Sequence, residues 1–371
     1  MAAAAPVLVH VESVQTAVPA RAAGSGRSLP IAVSGPALTA AELQRRFRAV
    51  LYYRGAGAGG GGLEEAAARE RAAWVKESLS AALVDHPEMA GRLRCLGDGD
   101  GRLWEVKLRD TGVRLVQASV EATMAAFLEA KGAERERMEA ALALWTDVDV
   151  REPDICAPFF MQLTRFQDGG YAVGASCSLL LADPLSLVGF LKSWALKHAE
   201  LQEQGERVAN PVIQYTRYLQ SAGAAKRVKS AAPAAADNNK TTTTTVLFSA
   251  AATPDHRALA AACVAKASEM LGAEAPPARS TVMSRAGSKG LNVLTCAADG
   301  GGQEPRHGHG HAAPRVALWR DEAGLEDLAL EGSKPVHVSY AVSACAAEGL
   351  VVVMPAGGAE LLISATVPNY V

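Results

Sequence analysis

The chain has 371 residues, 49% of them hydrophobic and 20% charged, and its 37 basic and 39 acidic side chains leave a net charge of −2. That length exceeds what one hydrophobic core ordinarily organises, so two domains are expected. The near-neutral balance removes any electrostatic case for nucleic-acid binding or for a strongly anionic membrane partner.

Six cysteines (Cys95, Cys156, Cys177, Cys263, Cys296 and Cys345) are scattered without Cys-x-x-Cys spacing. Free thiols in a reducing compartment are the expectation. The opening MAAAAPVLVHVESV lacks a basic stretch followed by a long apolar one, so it does not read as a secretory signal. No window approaches the roughly 18 uninterrupted apolar residues of a spanning helix. These features describe a cytoplasmic protein without a transmembrane segment.

In chain order, residues 7–18 have strand character and end at Pro19. Thr39-Ala-Ala-Glu42 is a capping box that opens a short helix through Phe47, followed by the strand-like run 50–53. Residues 55–62 (GAGAGGGG) form a flexible loop tip. A long helix is expected over 63–84, where Val75, Leu79 and Leu83 recur every fourth residue, and it stops before His86-Pro87. Strand-like runs follow at 103–109 and 113–120, then a helix around 120–131. Residues 159–166 and 171–178 read as a strand pair across the turn Gln167-Asp-Gly-Gly170, leading into an amphipathic helix over 185–201.

Residues 221–245 are low in complexity and carry almost no large apolar residue, which suits a crossover between halves. Beyond them a helix is expected over 254–271 and strands over 314–319, 336–343 and 350–355; residues 297–314 form a second irregular insertion. The class is α/β, in two halves split near 205–245.

Residues 160–195 read FMQLTRFQDGGYAVGASCSLLLADPLSLVGFLKSWA. This resembles the central signature of the plant BAHD acyltransferase superfamily, in which a strand pair leads into His-x-x-x-Asp and then a helix. Asp183 falls on the motif's aspartate, Leu179 stands where the histidine belongs, and Pro184 replaces the usual following glycine. His86-Pro-Glu-Met-Ala-Gly-Arg-Leu93, residues 253–266 and residues 348–355 resemble further family segments. Residues 47–55, 162–166 and 330–336 resemble the eceriferum/glossy branch, which acts in cuticular wax formation. Where the superfamily carries Asp-Phe-Gly-Trp-Gly before Lys-Pro, this chain has Ala329-Leu-Glu-Gly-Ser333, and the wax branch is likewise degenerate there. The family's final helix is missing beyond the last strand, and parts of the second half look shortened.

The resemblance implies a two-domain, chloramphenicol acetyltransferase-like fold with a channel between domains: residues 1–204, a crossover linker at 205–245, and a shortened second domain at 246–371. It implies a general-base histidine that deprotonates an alcohol or amine attacking an acyl-CoA thioester, a role that leucine at 179 cannot fill. Asp183 is then structural, pairing with a basic group. Cys177 is open to two readings, an acyl nucleophile if a base or cation lowers its pKa, or a buried strand thiol sharing a face with Tyr171, Val173 and Ala175. His307, His309 and His311 alternate with glycine and read as a solvated loop rather than a metal site, so no metal is expected. His86 reads as a helix-end residue, and His10, His198, His256 and His337 are isolated.

Loss of both motifs points to a non-catalytic accessory factor. By resemblance it acts with the 3-ketoacyl-CoA synthase of the fatty acid elongase, peripheral to the cytosolic face of the endoplasmic reticulum. No cofactor is held permanently, and acyl-CoA is the expected ligand or substrate. The alternatives are an acyl-CoA-dependent O- or N-acyltransferase with a non-standard base, and a decayed copy without function.

Overall fold

The computed structural model describes residues 9–22, 26–55, 61–97, 103–205, 242–273, 275–285, 290–297, 313–344 and 348–369. In the first half these form β1 (Val9–Ala17), β2 (Ser28–Ser34), α1 (Ala40–Leu43), β3 (Arg46–Tyr53), α2 (Gly61–Asp85), β4 (Arg92–Leu96), β5 (Leu103–Lys107), β6 (Val113–Val120), α3 (Met124–Glu129), α4 (Gly132–Ala141), β7 (Phe159–Arg165), β8 (Tyr171–Ser178) and α5 (Pro184–Gln204). The second half adds β9 (Thr242–Ala251), α6 (His256–Met270), β10 (Arg279–Arg285), β11 (Leu291–Ala297), β12 (Arg315–Ala317), α7 (Trp319–Ala323), β13 (His337–Ser343), β14 (Gly349–Gly357) and β15 (Glu360–Asn369).

Two mixed sheets organise these elements. One runs β1-β6-β7-β8-β3-β13 and the other β12-β9-β15-β14-β10-β11-β2-β5-β4. Each sheet therefore takes strands from both halves: β13 closes the first, while β2, β5 and β4 extend the second. The crossover at 205–245 and the insertion at 297–314 lie almost wholly outside the described residues, as do 56–60 of the glycine loop.

The β7–β8 hairpin follows from its sequence. The alternation on both sides of Asp168-Gly-Gly170 sets the register Arg165↔Tyr171, and Gly169 adopts a positive φ of 78° that the turn requires. Helices α2 and α5 pack side by side on one face of the first sheet, burying Val75, Leu79, Leu83, Leu187, Phe190 and Trp194 against Val173, Ala175 and Cys177. On the opposite face α3 and α4 bury Phe127, Met138 and Leu142 over Val50, Tyr52 and Ala172. In the second sheet, α6 covers β9, β10, β14 and β15 through Ala260, Cys263, Val264 and Ala267.

Three expectations need correction. The capping box at Thr39 is present, with the Glu42 N–H donating to Thr39 Oγ1 at 3.3 Å and the Thr39 N–H donating to Glu42 Oε2 at 2.8 Å. The helix nevertheless ends at Leu43, and Phe47 lies in β3 rather than in a helix. The reason is that 47–53 is buried on both faces between β8 and β13, as a central strand demands, and that pairing outweighs a one-turn helix. The helix placed around 120–131 is shorter, because β6 continues to Val120 and Thr123 caps α3; α4 then follows as a separate helix. The strand placed at 314–319 is only Arg315–Ala317, and Trp319 opens α7. No helix among the described residues is long and apolar enough to cross a membrane.

Candidate functional site

Leu179, which the resemblance aligns with the family's histidine, lies just beyond the end of β8. From Ser178 the chain makes a tight turn, with Leu181 N–H and Ala182 N–H donating to the Ser178 carbonyl at 2.9 and 3.1 Å and Leu180 N–H donating to Ser178 Oγ at 3.2 Å. Leu179 donates its backbone N–H to the Arg45 carbonyl at 3.0 Å, and its side chain is 1% exposed. Leu180, Leu181 and Ala182 are buried in the same core cluster. The position is thus an apolar packing site, and the isobutyl group there neither accepts nor donates a proton.

Asp183 ends the turn and starts α5. Its Oδ1 accepts the Ser186 N–H at 2.9 Å and its Oδ2 accepts the Ser186 hydroxyl at 2.7 Å, while Pro184 takes the first helical position, where no N–H is needed. Arg285, at the end of β10, brings its Nε to 3.5 Å from Asp183 Oδ2 and donates from Nη2 to the Leu180 carbonyl at 3.1 Å. Burial lowers the Arg285 pKa, and Asp183 opposes that shift. One guanidinium from the second half therefore ties both the loop and the cap of α5.

Cys177 lies on the face of β8 that α2 and α5 cover, with Tyr171, Val173 and Ala175. The cation absent from its sequence neighbourhood does arrive across the seam, since Arg285 is close enough to pull the thiol pKa down. Desolvation is the larger effect and pushes the thiol well above its ordinary value. A thiol held protonated and fully buried is a poor nucleophile.

Beneath the turn, Arg45 is 2% exposed and bridges the two sheets. It meets Glu42 at 3.1 Å, donates to Thr281 Oγ1 of β10 at 3.0 Å and reaches Glu348 at 3.5 Å.

Residues 330–333 form a tight turn. Leu330 and Ser333 exchange backbone hydrogen bonds at 2.9 Å each, and Glu331 and Gly332 take positive φ angles of 50° and 74°. Arg71 of α2 grips Glu331 as a fork, Nε to Oε1 at 2.8 Å and Nη2 to Oε2 at 2.9 Å. The same guanidinium lies 4.1 Å from the centroid of the Tyr171 ring, which stacks on Tyr53 at 5.1 Å. Tyr53 Oη in turn donates to the Leu328 carbonyl at 2.9 Å. What stands at 329–333 is a clasp between α2, β3, β8 and the second half.

One cluster escaped the sequence reading. His198 of α5 is buried, with Nδ1 3.0 Å from the Ser78 hydroxyl of α2, and Trp194 Nε1 donates to the same oxygen at 2.8 Å. Burial lowers the His198 pKa. The signal available was the spacing of Trp194 and His198, one turn apart on the apolar side of the helix; the serine partner is 120 residues away. His337 contacts Arg135 and lies with its ring 5.7 Å from that of Tyr52, while His86 pairs with Glu88 at 3.5 Å. His307, His309 and His311 lie outside the described residues, and among the described residues no group of three His, Cys, Asp or Glu side chains is placed to hold a metal ion.

Curated relatives share limited stretches with this chain. A hydroxycinnamoyl-CoA:piscidic acid hydroxycinnamoyltransferase of Actaea racemosa is 35% identical over 124 residues, 33% of this chain and 25% of that protein. Rosmarinate synthase of Plectranthus scutellarioides is 34% identical over 125 residues, 33% of this chain and 27% of that protein. The matched part thus spans about a quarter of the length of these relatives. Among solved structures, vinorine synthase aligns over 97% of this chain and 94% of its own with 16% identity and a TM-score of 0.47. Residues 64–257, just over half of the 371, match the profile of the Transferase family. With its two mixed sheets and helices on both faces of the first, the chain belongs to that family, the BAHD superfamily.

Proposed function

We propose that this chain is a non-catalytic BAHD protein acting as an accessory factor in very-long-chain fatty acyl elongation for cuticular wax, together with a 3-ketoacyl-CoA synthase. The observation that carries the proposal is Leu179: the general-base position holds an isobutyl group packed in the core. A BAHD transfer at that position needs a group that takes the acceptor's proton, a contribution typically worth about 10²–10⁴-fold in rate. Asp183 then serves the scaffold, as helix cap and as partner of Arg285. Resemblance of residues 47–55, 162–166 and 330–336 to the eceriferum/glossy branch supports the wax-elongation role and the elongase partner. In this reading acyl-CoA is a ligand rather than a substrate, and the protein works from the cytoplasm at the surface of the endoplasmic reticulum.

The test is co-expression with a 3-ketoacyl-CoA synthase in yeast. Longer acyl products than with the synthase alone are expected, and an unchanged chain-length profile rejects the accessory role.

A second reading is an acyl-CoA-dependent O- or N-acyltransferase using another base, which the names of the hydroxycinnamoyl-transferring relatives favour. It requires the purified protein to release free CoA from an acyl-CoA in the presence of acceptor alcohols or amines, above a heat-killed control. A chain that fails both assays is a decayed copy.

A further inference from the structure

On the face of the first sheet opposite Cys177, two arginines of β3 stand next to each other. Arg46 and Arg48 are two residues and roughly 7 Å apart along the strand, so both point to that face. Antiparallel register sets Ser178 and Ser343 opposite Arg46, and Ser176 and Ala341 opposite Arg48. The strands on either side thus surround the pair with small side chains and no carboxylate. β13 is the edge strand of the sheet, and Ala341 and Ser343 on it are partly exposed, so this row reaches solvent past that edge. Trp145 lies against the pair, with the Arg46 guanidinium 5.4 Å from its ring centroid.

Neither guanidinium makes a hydrogen bond or a salt bridge to a described residue. Arg48 is 5% exposed, and its Nε is buried without a partner. The carboxylates that act on the pair do so from a distance: Glu139 and Glu136 on Arg48, and Asp147 on Arg46. Glu139 is already held by Arg135, Nε to Oε1 at 2.8 Å, while Glu136 and Asp147 are exposed and screened by solvent. Burial and the neighbouring charge of Arg48 bring the Arg46 pKa down to about 10, and burial lowers that of Arg48. Two like charges are therefore held side by side with no counter-ion in contact, which costs stability. Trp145 Nε1, Ser339 Oγ and Tyr52 Oη are also buried and unpartnered. Register places Ser339 opposite Val50 on the same face, one pair along from Ala341 and Arg48. All of these groups can donate, and what they lack in common is an acceptor.

We infer that Arg46 and Arg48 form a binding site for a small phosphate-type dianion, entered past the edge of β13, with the Ser339 hydroxyl as a further donor. Planar guanidinium forks match the oxygens of a phosphate group, and two unpaired positive charges favour a dianion over a monoanion. The ligand is free phosphate or the phosphomonoester end of a small metabolite, which share this chemistry. The site lies on the face of the sheet away from Cys177 and does not depend on the accessory or the transferase reading.

The experiment is isothermal titration calorimetry on the full chain at about pH 8, where phosphate and its monoesters are dianionic. Inorganic phosphate, glycerol 3-phosphate and acetate are the probes, at fixed ionic strength. Saturable one-to-one binding of phosphate is expected, with acetate at least about tenfold weaker. Glycerol 3-phosphate separates the two sources: binding as tight as phosphate or tighter assigns the ester, and weaker binding assigns the free anion. Arg48→Met should weaken phosphate by about tenfold or more, since it removes a charge-assisted contact. Arg46→Gln, at a partly exposed position, should weaken it similarly, and either variant alone, folded as judged by circular dichroism, suffices for the comparison. Phosphate should also raise the urea midpoint of the parent and leave that of the variants unchanged. Absence of saturable phosphate binding, equal affinity for acetate, or a folded variant that binds phosphate like the parent would each overturn the assignment.

Discussion

Position 179 shows how far the local environment sets the chemistry a side chain can perform. A Leu179→His change places an imidazole among Leu180, Leu181 and the rest of the main core. Burying a polar ring without a partner costs roughly 2 kcal/mol or more. The variant should therefore unfold at lower urea, while Leu179→Met, a volume-conserving change, should cost less than about 1.5 kcal/mol. On the non-catalytic reading proposed above, neither should release CoA from an acyl-CoA. Robust transfer by Leu179→His would show that this single residue was all that the site lacked. At Asp183 the change to Asn preserves a competent helix cap but removes the charge facing Arg285, whose side chain is 12% exposed. Leaving that guanidinium buried and unpaired should cost about 3 kcal/mol or more in urea unfolding. Adding Arg285→Met to the Asn variant should recover most of the loss; no recovery would mean that the pair contributes little.

Between elements, the α2–α5 seam carries a pH dependence. His198 is held neutral by burial, with its pKa below the ordinary value of 6.5, while the unfolded chain titrates near that value. Below about pH 6.5 the unfolded state therefore binds more protons than the folded one, so stability is full above that pH and falls as pH drops toward the lower folded pKa. Urea midpoints between pH 7.5 and 5 should decline, and the part of the slope due to this ring should vanish in His198→Gln; an unchanged slope would place the dependence elsewhere. The same seam shows what sequence conveyed. Helix α2, the β7–β8 hairpin and α5 were legible because their signals are local: apolar residues recurring every fourth position, a Gly-Gly turn, and an amphipathic pattern. Phe47 was misplaced because a capping box speaks only for one turn, whereas burial between β8 and β13 is a property of distant strands. The Ser78 contact of His198 and the Arg71 grip on Glu331 join residues 120 and 260 positions apart, and no periodicity encodes such pairs. For the candidate site, Leu179, Asp183 and the altered 329–333 segment were visible as sequence positions. The guanidinium of Arg285 beside Asp183 and Cys177 was not, since it arrives from β10.

At the scale of the molecule, strand exchange decides how the chain holds together. Residues 1–204 contain every strand of the first sheet except β13, whose seven residues pair with β3 from His337↔Tyr52 to Ser343↔Arg46. They also contain β2, whose Ile31 to Ser34 pair in parallel with Leu291 to Leu294 of β11. Without the second half, β3 and β2 each present an unpaired apolar edge, and such edges template aggregation. Arg45 would also lose Thr281 and Glu348, and Asp183 would lose Arg285. If 1–204 and 246–371 are two domains joined through 205–245, as we propose, they are not independent in folding. The whole chain should unfold in one transition, with tryptophan fluorescence and far-ultraviolet circular dichroism giving the same urea midpoint. Residues 1–204 expressed alone should be insoluble or lack cooperative unfolding, and mixing with 246–371 during refolding should restore a folded complex. A fragment 1–204 that is monomeric and unfolds cooperatively by itself would show that β13 and the buried ion pairs are dispensable, and that the two halves are separate bodies merely in contact.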